Sequence, residues 1–152
     1  MNEKTMKATA RTIIRRAPTE VFAAFVDADK MSKFWFTRTD DRLKEGETSR
    51  WALGSAADAF SFDILVKELR EPEKIVIEWE GPDGSTTLVT WLFEETGQGD
   101  TILTIEETGF SGSRNDVVER VVDSTGGFNQ VIIAMKAFVE HGVAVNVVAD
   151  HA

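Results

Sequence analysis

The spacing of apolar residues changes character twice along this chain of 152 residues. Apolar and polar positions alternate in the first segment, MKATARTIIRR, which predicts a strand over residues 7–16. Helical spacing follows, and Pro18 suits the first turn of a helix. A second short helix is predicted to begin with Asp27 or Asp29 as its N-cap. The chain is therefore expected to open with a strand and two short helices.

From about residue 47 the period becomes two, which is typical of strands with one buried face. Five segments show it: ETSRWALG, AFSFDILVKELR, EKIVIEWE, TTLVTWLFEE and DTILTIEET. Some connections are short turns, such as GPDGST, where Pro82 and Asp83 form a tight turn, and GQGD. Because a parallel crossover needs a dozen or more residues, successive strands are predicted to be antiparallel neighbours. Together with the first strand they predict a curved antiparallel sheet of about six strands.

The helical period returns after GFSGSRN and predicts one helix over residues 115–141, ended by Gly142. Its apolar stripe consists of Val117, Val121, Phe128, Val131, Ile132, Met135, Phe138 and Val139. Asn129, Lys136 and Glu140 are predicted to point away from the sheet. A sheet with one apolar face must be covered, and only this helix is long enough to cover it. We expect an α+β fold in one domain, residues 1–152, whose apolar tail, residues 143–152, packs on the core or on a partner subunit.

Two adjacent glycines, Gly126 and Gly127, interrupt the predicted helix. Each costs a helix interior roughly 1 kcal/mol relative to alanine. Close packing of the helix on a strand, or a bend, is one explanation. The other is a mouth or hinge through which a ligand enters. Ser124 and Thr125 are candidate hydroxyls facing a cavity, unless they serve as caps at a helix entry.

Three segments resemble the family of activator of heat-shock-protein-90 ATPase homologue-like proteins: RAPTEVFAAFVDADKMSKFW, VTWLFEETGQGDTILTIEETGF and GGFNQVIIAMKAFVEHG. The residues that match the family's opening signature are Ala17, Pro18, Glu20, Val21 and Trp35. Phe36 and Phe128 stand where tryptophans are common. The resemblance implies the helix-grip fold of the START-like superfamily, whose members enclose a cavity between the sheet and the last helix. Members bind lipids, hormones or aromatic polyketides, and some catalyse cyclisation.

The candidate ligand contacts are the aromatic residues of the predicted sheet face and residues of the last helix. They are Trp35, Trp51, Phe60, Phe62, Trp79, Trp91, Phe93, Ser124, Gly127, Phe128, Val131 and Met135. The alternative is that the aromatic residues fill a solid core. We expect a cavity to remain, because a sheet curved around one helix tends to leave space.

Strand alternation places two carboxylates, Glu68 and Glu107, on apolar sides of their strands. Inside a cavity such a group could act as an acid or orient a ligand. We expect instead that both lie at strand ends in solvent, where Arg38 or Arg50 could pair with one of them.

Charge and composition narrow the range of partners. Twenty-six acidic residues against seventeen basic ones give a net charge of −9, which disfavours nucleic acid and anionic membranes. The chain has no cysteine, and therefore no disulfide or thiolate chemistry. Its first residues lack the apolar core of a signal peptide, and no segment is long enough to span a bilayer. We expect a soluble cytoplasmic protein without membrane insertion.

The sequence contains two histidines, His141 and His151, and no nucleophile–base pair, metal-ligand spacing or phosphate-binding loop. We therefore predict no catalytic residues, no metal and no cofactor. The favoured function is a noncatalytic domain that binds a small apolar or aromatic molecule. The alternatives are a chaperone-interacting stress-response protein and a polyketide cyclase-like enzyme, and a homodimer is a further candidate assembly. A cavity with a buried carboxylate would favour the enzyme, and a surface apolar patch without a cavity would favour the chaperone partner.

Overall fold

The computed structural model describes residues 6–54, 56–81 and 83–150, so that Pro82 and His151 lie outside the described residues. In chain order the elements are β1 (Ala8–Ile14), α1 (Pro18–Val26), α2 (Ala28–Met31), β2 (Thr37–Arg38), β3 (Thr48–Ala52), β4 (Ser61–Arg70), β5 (Lys74–Glu80), β6 (Thr86–Glu95), β7 (Thr101–Thr108) and α3 (Arg114–His141). The predicted fold is confirmed: a curved antiparallel sheet is covered by a long C-terminal helix, with two short helices after the first strand.

The strands lie in the order β1-β7-β6-β5-β4-β3-β2, and every neighbouring pair is antiparallel. The sheet thus has seven strands, one more than the six predicted. The additional strand is β2, which consists of Thr37 and Arg38 alone. Two residues are too few to show an alternating pattern, so this strand left no signal in the sequence.

The alternation of β4 to β7 produces one buried inner face, against which α1 also packs. The largest residues of this core include Phe22, Phe25, Trp51, Ile64, Ile75, Ile77, Trp91, Phe93, Leu103 and Ile105. Each such side chain stabilises the fold by roughly 1.5–3 kcal/mol when fully buried. A gap between Phe25, Trp51 and Trp91 is too narrow for a water molecule. This part of the core is therefore closed.

A β-bulge in β4 changes the predicted facing of Glu68. The register with β5 shifts between Val66 and Glu68, which inserts one extra residue into the strand. Leu69 packs against the core instead, and Glu68 forms ion pairs with Arg70 (2.8 Å) and Lys74 (3.5 Å). The prediction that Glu68 lies on the apolar side was wrong. It assumed strict alternation along the whole of β4, whereas the bulge shifts the alternation by one residue.

The start of α2 also differs from the expectation. Asp27 occupies the N-cap position, but its side chain makes no capping hydrogen bond. Its carboxylate pairs with Arg42 (3.3 Å) and Lys30 (3.6 Å). Asp27 thus ties the helical segment to the following loop and does not cap α2.

The side chain of Arg38 is fully buried at the C-terminus of α1. Its guanidinium donates to the carbonyl oxygens of Phe25 (3.0 Å) and Val26 (2.5 Å) and to the Asp40 carboxylate (2.8 Å). A cation at this end of a helix is favourable, because the last carbonyls carry partial negative charge. Burial lowers the pKa of Arg38, while the hydrogen bond and the charge of Asp40 act in the opposite direction. The hydrogen bonds of this arginine join α1 to β2.

Helix α3 begins at its N-cap Ser113, whose Oγ accepts a hydrogen bond from the Asp116 backbone N–H (3.2 Å). It ends at Gly142, which adopts the left-handed conformation with φ 69°. The helix predicted over residues 115–141 is confirmed, with a start one residue earlier. Its buried residues are Val121, Phe128, Val131, Ile132, Ala134 and Met135. All of them except Val121 follow Gly127, so the sheet holds mainly the second half of the helix.

Polar contacts fasten the same half of α3 to β1 and the residues after it. The Glu140 carboxylate accepts from the Arg15 backbone N–H (2.8 Å) and from Lys136 Nζ (2.5 Å). Arg16 donates to the carbonyl oxygen of Glu140 (2.5 Å), and Lys136 donates to that of Ile13 (2.6 Å). The side chain of Glu140 is 6% exposed and Lys136 bonds to β1, so the prediction that these two residues point away from the sheet was wrong. Helical periodicity indicates only which positions are apolar. It could not show that the Glu140 carboxylate accepts a hydrogen bond from the Arg15 backbone N–H.

The pKa of Glu140 lies below its ordinary value. Burial is the largest influence and raises this pKa. The hydrogen bonds from Lys136 and the Arg15 N–H, with the charges of Lys136 and His141, together outweigh it. Charged Glu140 is therefore favoured by folding, as expected for a carboxylate that receives such donors.

The segment after α3 returns to the body of the molecule. Val145, Val147 and Val148 are partly buried and pack against the core. Val145 and Val148 border a depression of about 440 Å³ together with Trp35 and Leu53. The apolar character of the tail is explained by these contacts.

We predict that Met135→Asp unfolds or strongly destabilises the protein. Met135 is fully buried, so aspartate there places an unpaired charge in the core at a cost of about 3 kcal/mol or more. Thermal and urea unfolding measure the effect. Ile133→Asp is the matched control, because Ile133 lies on the same helix and is 58% exposed. Similar melting of the two variants would show that the Met135 face of α3 is not core.

We predict that Glu140→Gln lowers stability at neutral pH by about 1–2 kcal/mol, through loss of the charged acceptor. Because the folded pKa is depressed, this stabilisation is complete above the unfolded pKa of about 4.3 and is lost as the pH falls through the folded value. Urea unfolding of parent and variant should therefore converge in acid. Exposed Glu94→Gln is the control. A difference that is independent of pH would contradict the assignment.

Candidate functional site

Two open grooves lie between the sheet and α3, along the part of the helix from Glu119 to Val131. The first, which we name the Glu107 groove, has a volume of about 850 Å³; its lining residues are Phe36, Phe60, Phe62, Trp79, Glu80, Gly81, Glu107, Phe110, Glu119, Arg120, Asp123 and Ser124. The second, the Gly127 groove, has a volume of about 620 Å³. The two share Phe36, Phe60, Trp79, Asp123 and Ser124, so they are neighbours along the helix.

The floor of the Glu107 groove is formed where the inner face of the sheet turns from aliphatic to polar. Trp79 and Thr87 lie opposite each other on β5 and β6, and Glu107 lies opposite Val89 on β6 and β7. Glu107 is 3% exposed, and its Oε2 accepts from Trp79 Nε1 (2.9 Å) and Thr87 Oγ1 (2.5 Å). Its Oε1 is buried and has no hydrogen-bond partner in the described parts of the chain.

The expectation that Glu107 lies in solvent was therefore wrong. Position in a strand sequence does not show that β7 is an inner strand of the sheet, nor that Trp79 and Thr87 on the neighbouring strands bond to the Glu107 carboxylate. Neither predicted arginine pairs with Glu107. Arg38 pairs with Asp40 (2.8 Å), and Arg50 pairs with Asp63 (3.3 Å).

Aromatic rings form the walls between the two grooves. Trp79 and Phe128 stack across the sheet–helix junction, with centroids 6.1 Å apart and an interplanar angle of 7°. Phe62 meets Trp79 edge-on at 5.8 Å. Phe60 is 68% exposed beside Phe62, at a centroid distance of 5.8 Å. A solvent-exposed phenylalanine adjoining an aromatic groove is characteristic of a binding surface.

Arg120 borders one end of the Glu107 groove. Its guanidinium lies 5.3 Å from the ring centroid of Phe110 and 3.4 Å from the carboxylate of Asp83. It lies so close to Gly81 that a side chain there would displace it, since an added Cβ would be 2.3 Å from a guanidinium nitrogen. The pKa of Asp83 is lowered, first by hydrogen bonds from Ser85 and less by Arg120. Arg120 is thus already paired.

Three further carboxylates border the Glu107 groove: Glu80, Glu119 and Asp123. All three are exposed, and none forms an ion pair with any residue that the structure describes. Charges with this exposure are hydrated and interact at long range with charged molecules in solution. The groove therefore combines an apolar aromatic wall with an acidic rim.

The two glycines of α3 border the Gly127 groove. A Cβ added at Gly126 or Gly127 would meet no atom within 4 Å outside its own stretch of helix. Close packing on a strand therefore does not explain them. The helix also continues through both residues without interruption. Gly127 leaves the groove wide, and its role as a mouth for a ligand stays a prediction.

Comparison with known proteins places this chain in a family. The family model described as Activator of Hsp90 ATPase homolog 1-like protein matches residues 15–140. The chain belongs to this family. No match is found among curated proteins.

Solved structures of this family's fold are similar over most of the chain. The protein SSP2350 from Staphylococcus saprophyticus has a TM-score of 0.76 at 25% identity, covering 92% of this chain and 96% of that one. DynU16, a protein in the dynemicin biosynthetic locus, has a TM-score of 0.76 at 17% identity, covering 91% of this chain and 48% of DynU16. The Aha1 dimer from Colwellia psychrerythraea has a TM-score of 0.67 at 15% identity, covering 90% of this chain and 98% of that one. These similarities are of fold.

The structure divides the predicted ligand contacts into two groups. Those that border the grooves are Trp35, Phe60, Phe62, Trp79, Ser124, Gly127, Phe128 and Val131. Those that border neither groove are Trp51, Trp91, Phe93 and Met135. Trp51 and Trp91 adjoin the closed gap in the core, and Phe93 borders a separate depression beside Pro18. Apolar periodicity assigns the predicted contacts of both groups to the interface between sheet and helix. It does not show which end of a strand the helix leaves uncovered.

Several groove residues were not among the predicted contacts: Phe36, Phe110, Glu80, Glu119, Arg120 and Asp123. Phe110 is placed by the turn after β7, where Gly109 has a φ of 91° that favours glycine. The spacing of Glu119, Asp123 and Ser124 by about one helical turn could have indicated a shared edge of α3. Of the described residues, no group of His, Cys, Asp or Glu could hold a metal ion, and no helix is long and apolar enough to cross a membrane.

Replacing Gly127 with alanine is predicted to stabilise the helix by up to about 1 kcal/mol, because the new methyl group meets no neighbour. Thermal melting should show a higher midpoint. Gly109→Ala is the contrasting variant, since its φ of 91° strains an alanine and should lower the midpoint. A lower midpoint for Gly127→Ala would indicate tight packing after all. If Gly127 forms a mouth, the alanine variant should also bind an apolar dye more slowly.

Proposed function

We propose that the protein is a noncatalytic domain that binds a small hydrophobic or aromatic molecule in the Glu107 groove and the adjoining Gly127 groove. The observation that carries the proposal is the aromatic lining of an 850 Å³ groove whose phenylalanine at position 60 is 68% exposed. Ligand sites in proteins are typically concave, largely apolar and about 300–1,000 Å³ in volume. The grooves meet this description.

Two other depressions are less suited to an apolar ligand. The depression beside Pro18 has a volume of about 490 Å³, and most of its lining residues are charged: Arg70, Glu73, Lys74, Glu94 and Glu95. The gap near Trp51 admits no water molecule. Exposed Leu53 and Val122 border the Gly127 groove, so the exposed apolar surface of this region belongs to a concave site. A flat patch would have favoured a chaperone partner, and we propose the small ligand for this reason.

Titration with the neutral apolar dye N-phenylnaphthylamine tests the proposal. The parent protein should bind it saturably, with a rise in dye emission. Ser124 borders both grooves, so Ser124→Trp should fill them and weaken binding by about tenfold or more. Asn129→Trp is the matched control, because Asn129 is exposed on the same helix and borders neither groove. Absence of saturable binding to the parent, or equal binding by both variants, would contradict the proposal.

A second candidate function is supported by Glu107. A buried carboxylate with a free oxygen beside an apolar groove has the position required of an acid or base in a cyclase-like enzyme. Ring closure of that kind begins with removal of a proton from carbon next to a carbonyl. The binding function is favoured because Oε2 already accepts two hydrogen bonds and no second titratable group contacts Glu107 among the described residues.

Deuterium exchange at the carbon next to the carbonyl of an aryl ketone separates the two functions. A binding domain should leave the exchange rate at its value in buffer, as followed by proton NMR. An acceleration that is present in the parent and absent in Glu107→Gln would support the enzyme instead. Glu106→Gln is the control, because Glu106 is the adjacent residue on the opposite face of β7 and pairs with Lys7 at 3.1 Å.

A further inference from the structure

The free oxygen of Glu107 specifies what a ligand should offer. Glu107 Oε1 is buried beside the groove and has no donor among the residues that the structure describes, whereas Oε2 of the same carboxylate has two. A buried acceptor without a donor is unfavourable, since it has given up water without replacement. A ligand that donates a hydrogen bond to Oε1 would remove this cost. A purely hydrocarbon ligand would leave it in place.

The charges around the groove favour a ligand whose hydrogen-bond donor is cationic over one whose donor is neutral. Among the described lining residues four are acidic, namely Glu80, Glu107, Glu119 and Asp123, and one is basic, Arg120. Arg120 is paired with Asp83, while the three rim carboxylates have no ion-pair partner in the described chain. The field in the groove is therefore negative, and it raises the local concentration of cations.

The aromatic residues add a second attraction for positive charge. The face of an aromatic ring attracts a cation placed within about 6 Å of its centroid. Arg120 shows this interaction inside the groove itself, at 5.3 Å from the centroid of Phe110. Trp79, the strongest type of ring for this contact, donates to Glu107 and so stands beside the free oxygen.

We propose that the Glu107 groove selects amphiphilic organic cations: an apolar or aromatic body that carries a protonated amine. The ring system lies against Trp79 and Phe62, and the ammonium group donates to Oε1 of Glu107. The exposed carboxylates of the rim attract the cation as it approaches. This inference rests on the proposed function, because it names the class of ligand for the same grooves.

The test compares three probes that share one ring system: naphthylmethylamine, naphthylmethanol and naphthylacetate. They present an ammonium group, a neutral donor and a carboxylate. Calorimetric titration should give the tightest binding for the amine, by about tenfold over the alcohol, and the weakest for the acid. The preference for the amine should shrink as salt is raised, since exposed rim charges are screened.

Glu107→Gln isolates the proposed contact. Its amide oxygen can still accept from Trp79 and Thr87, and its NH₂ group replaces the acceptor Oε1 by a donor. The preference of the amine over the alcohol should fall by about tenfold. Glu106→Gln removes the same charge one residue away, on the outer face, and should keep the preference. Thermal melting beforehand establishes that each variant is folded.

If Glu107→Gln does not fold, the double variant Glu119→Gln, Asp123→Asn gives the second test. Both residues are exposed, so this variant should fold and should lose part of the amine preference and its salt dependence. Equal binding of the amine and the alcohol, tightest binding of the acid, or an unchanged preference in the variants would overturn the cation proposal while leaving the binding function intact. Failure of all three probes and of N-phenylnaphthylamine to bind would overturn the binding function and the cation proposal with it.

Discussion

The site depends on one asymmetry, which is that the sheet holds α3 along only half of its length. Five of the six buried residues of the helix follow Gly127, and Glu140 and Lys136 fasten that same half to β1 and the adjoining residues. Before Gly127 only Val121 is buried. A single helix covers a curved sheet of seven strands incompletely, so the first half of α3 spans the sheet above open space. The grooves are the consequence of this incomplete cover.

The same asymmetry explains the chemistry of the uncovered region. Where the helix presses on the sheet, inward positions are aliphatic or tightly packed aromatic residues, as the packing density of a core requires. Beside the grooves they become Trp79, Thr87 and Glu107, and both Trp79 and Thr87 donate hydrogen bonds to the Glu107 carboxylate. The solved structures of SSP2350, DynU16 and the Aha1 dimer have a similar fold at 15–25% identity, and a shared fold does not determine what a protein binds.

The fold could be read from the sequence because long periodic segments report burial directly. The 28 residues of α3 and the alternation of β4 to β7 were visible in this way. Local features that break the periodicity could not be predicted from the sequence. They are the two-residue strand β2, the bulge that turns Glu68 outwards, and the hydrogen bond between Glu140 and Arg15. The site was predictable as an aromatic inner face. The position of the site at one end of that face could not be predicted, because this position depends on how far α3 covers the sheet.

The central claim is that ligands bind under the first half of α3 and not within the core, and the four indole N–H groups of the protein report on it directly. The nitrogen–proton correlation spectrum of labelled protein should resolve one indole signal for each of Trp35, Trp51, Trp79 and Trp91. During titration with naphthylmethylamine, the Trp79 signal should shift most, because its N–H is bonded to Glu107. The signals of Trp51 and Trp91 should stay nearly fixed. Large shifts of those two with an unmoved Trp79 signal would contradict the account.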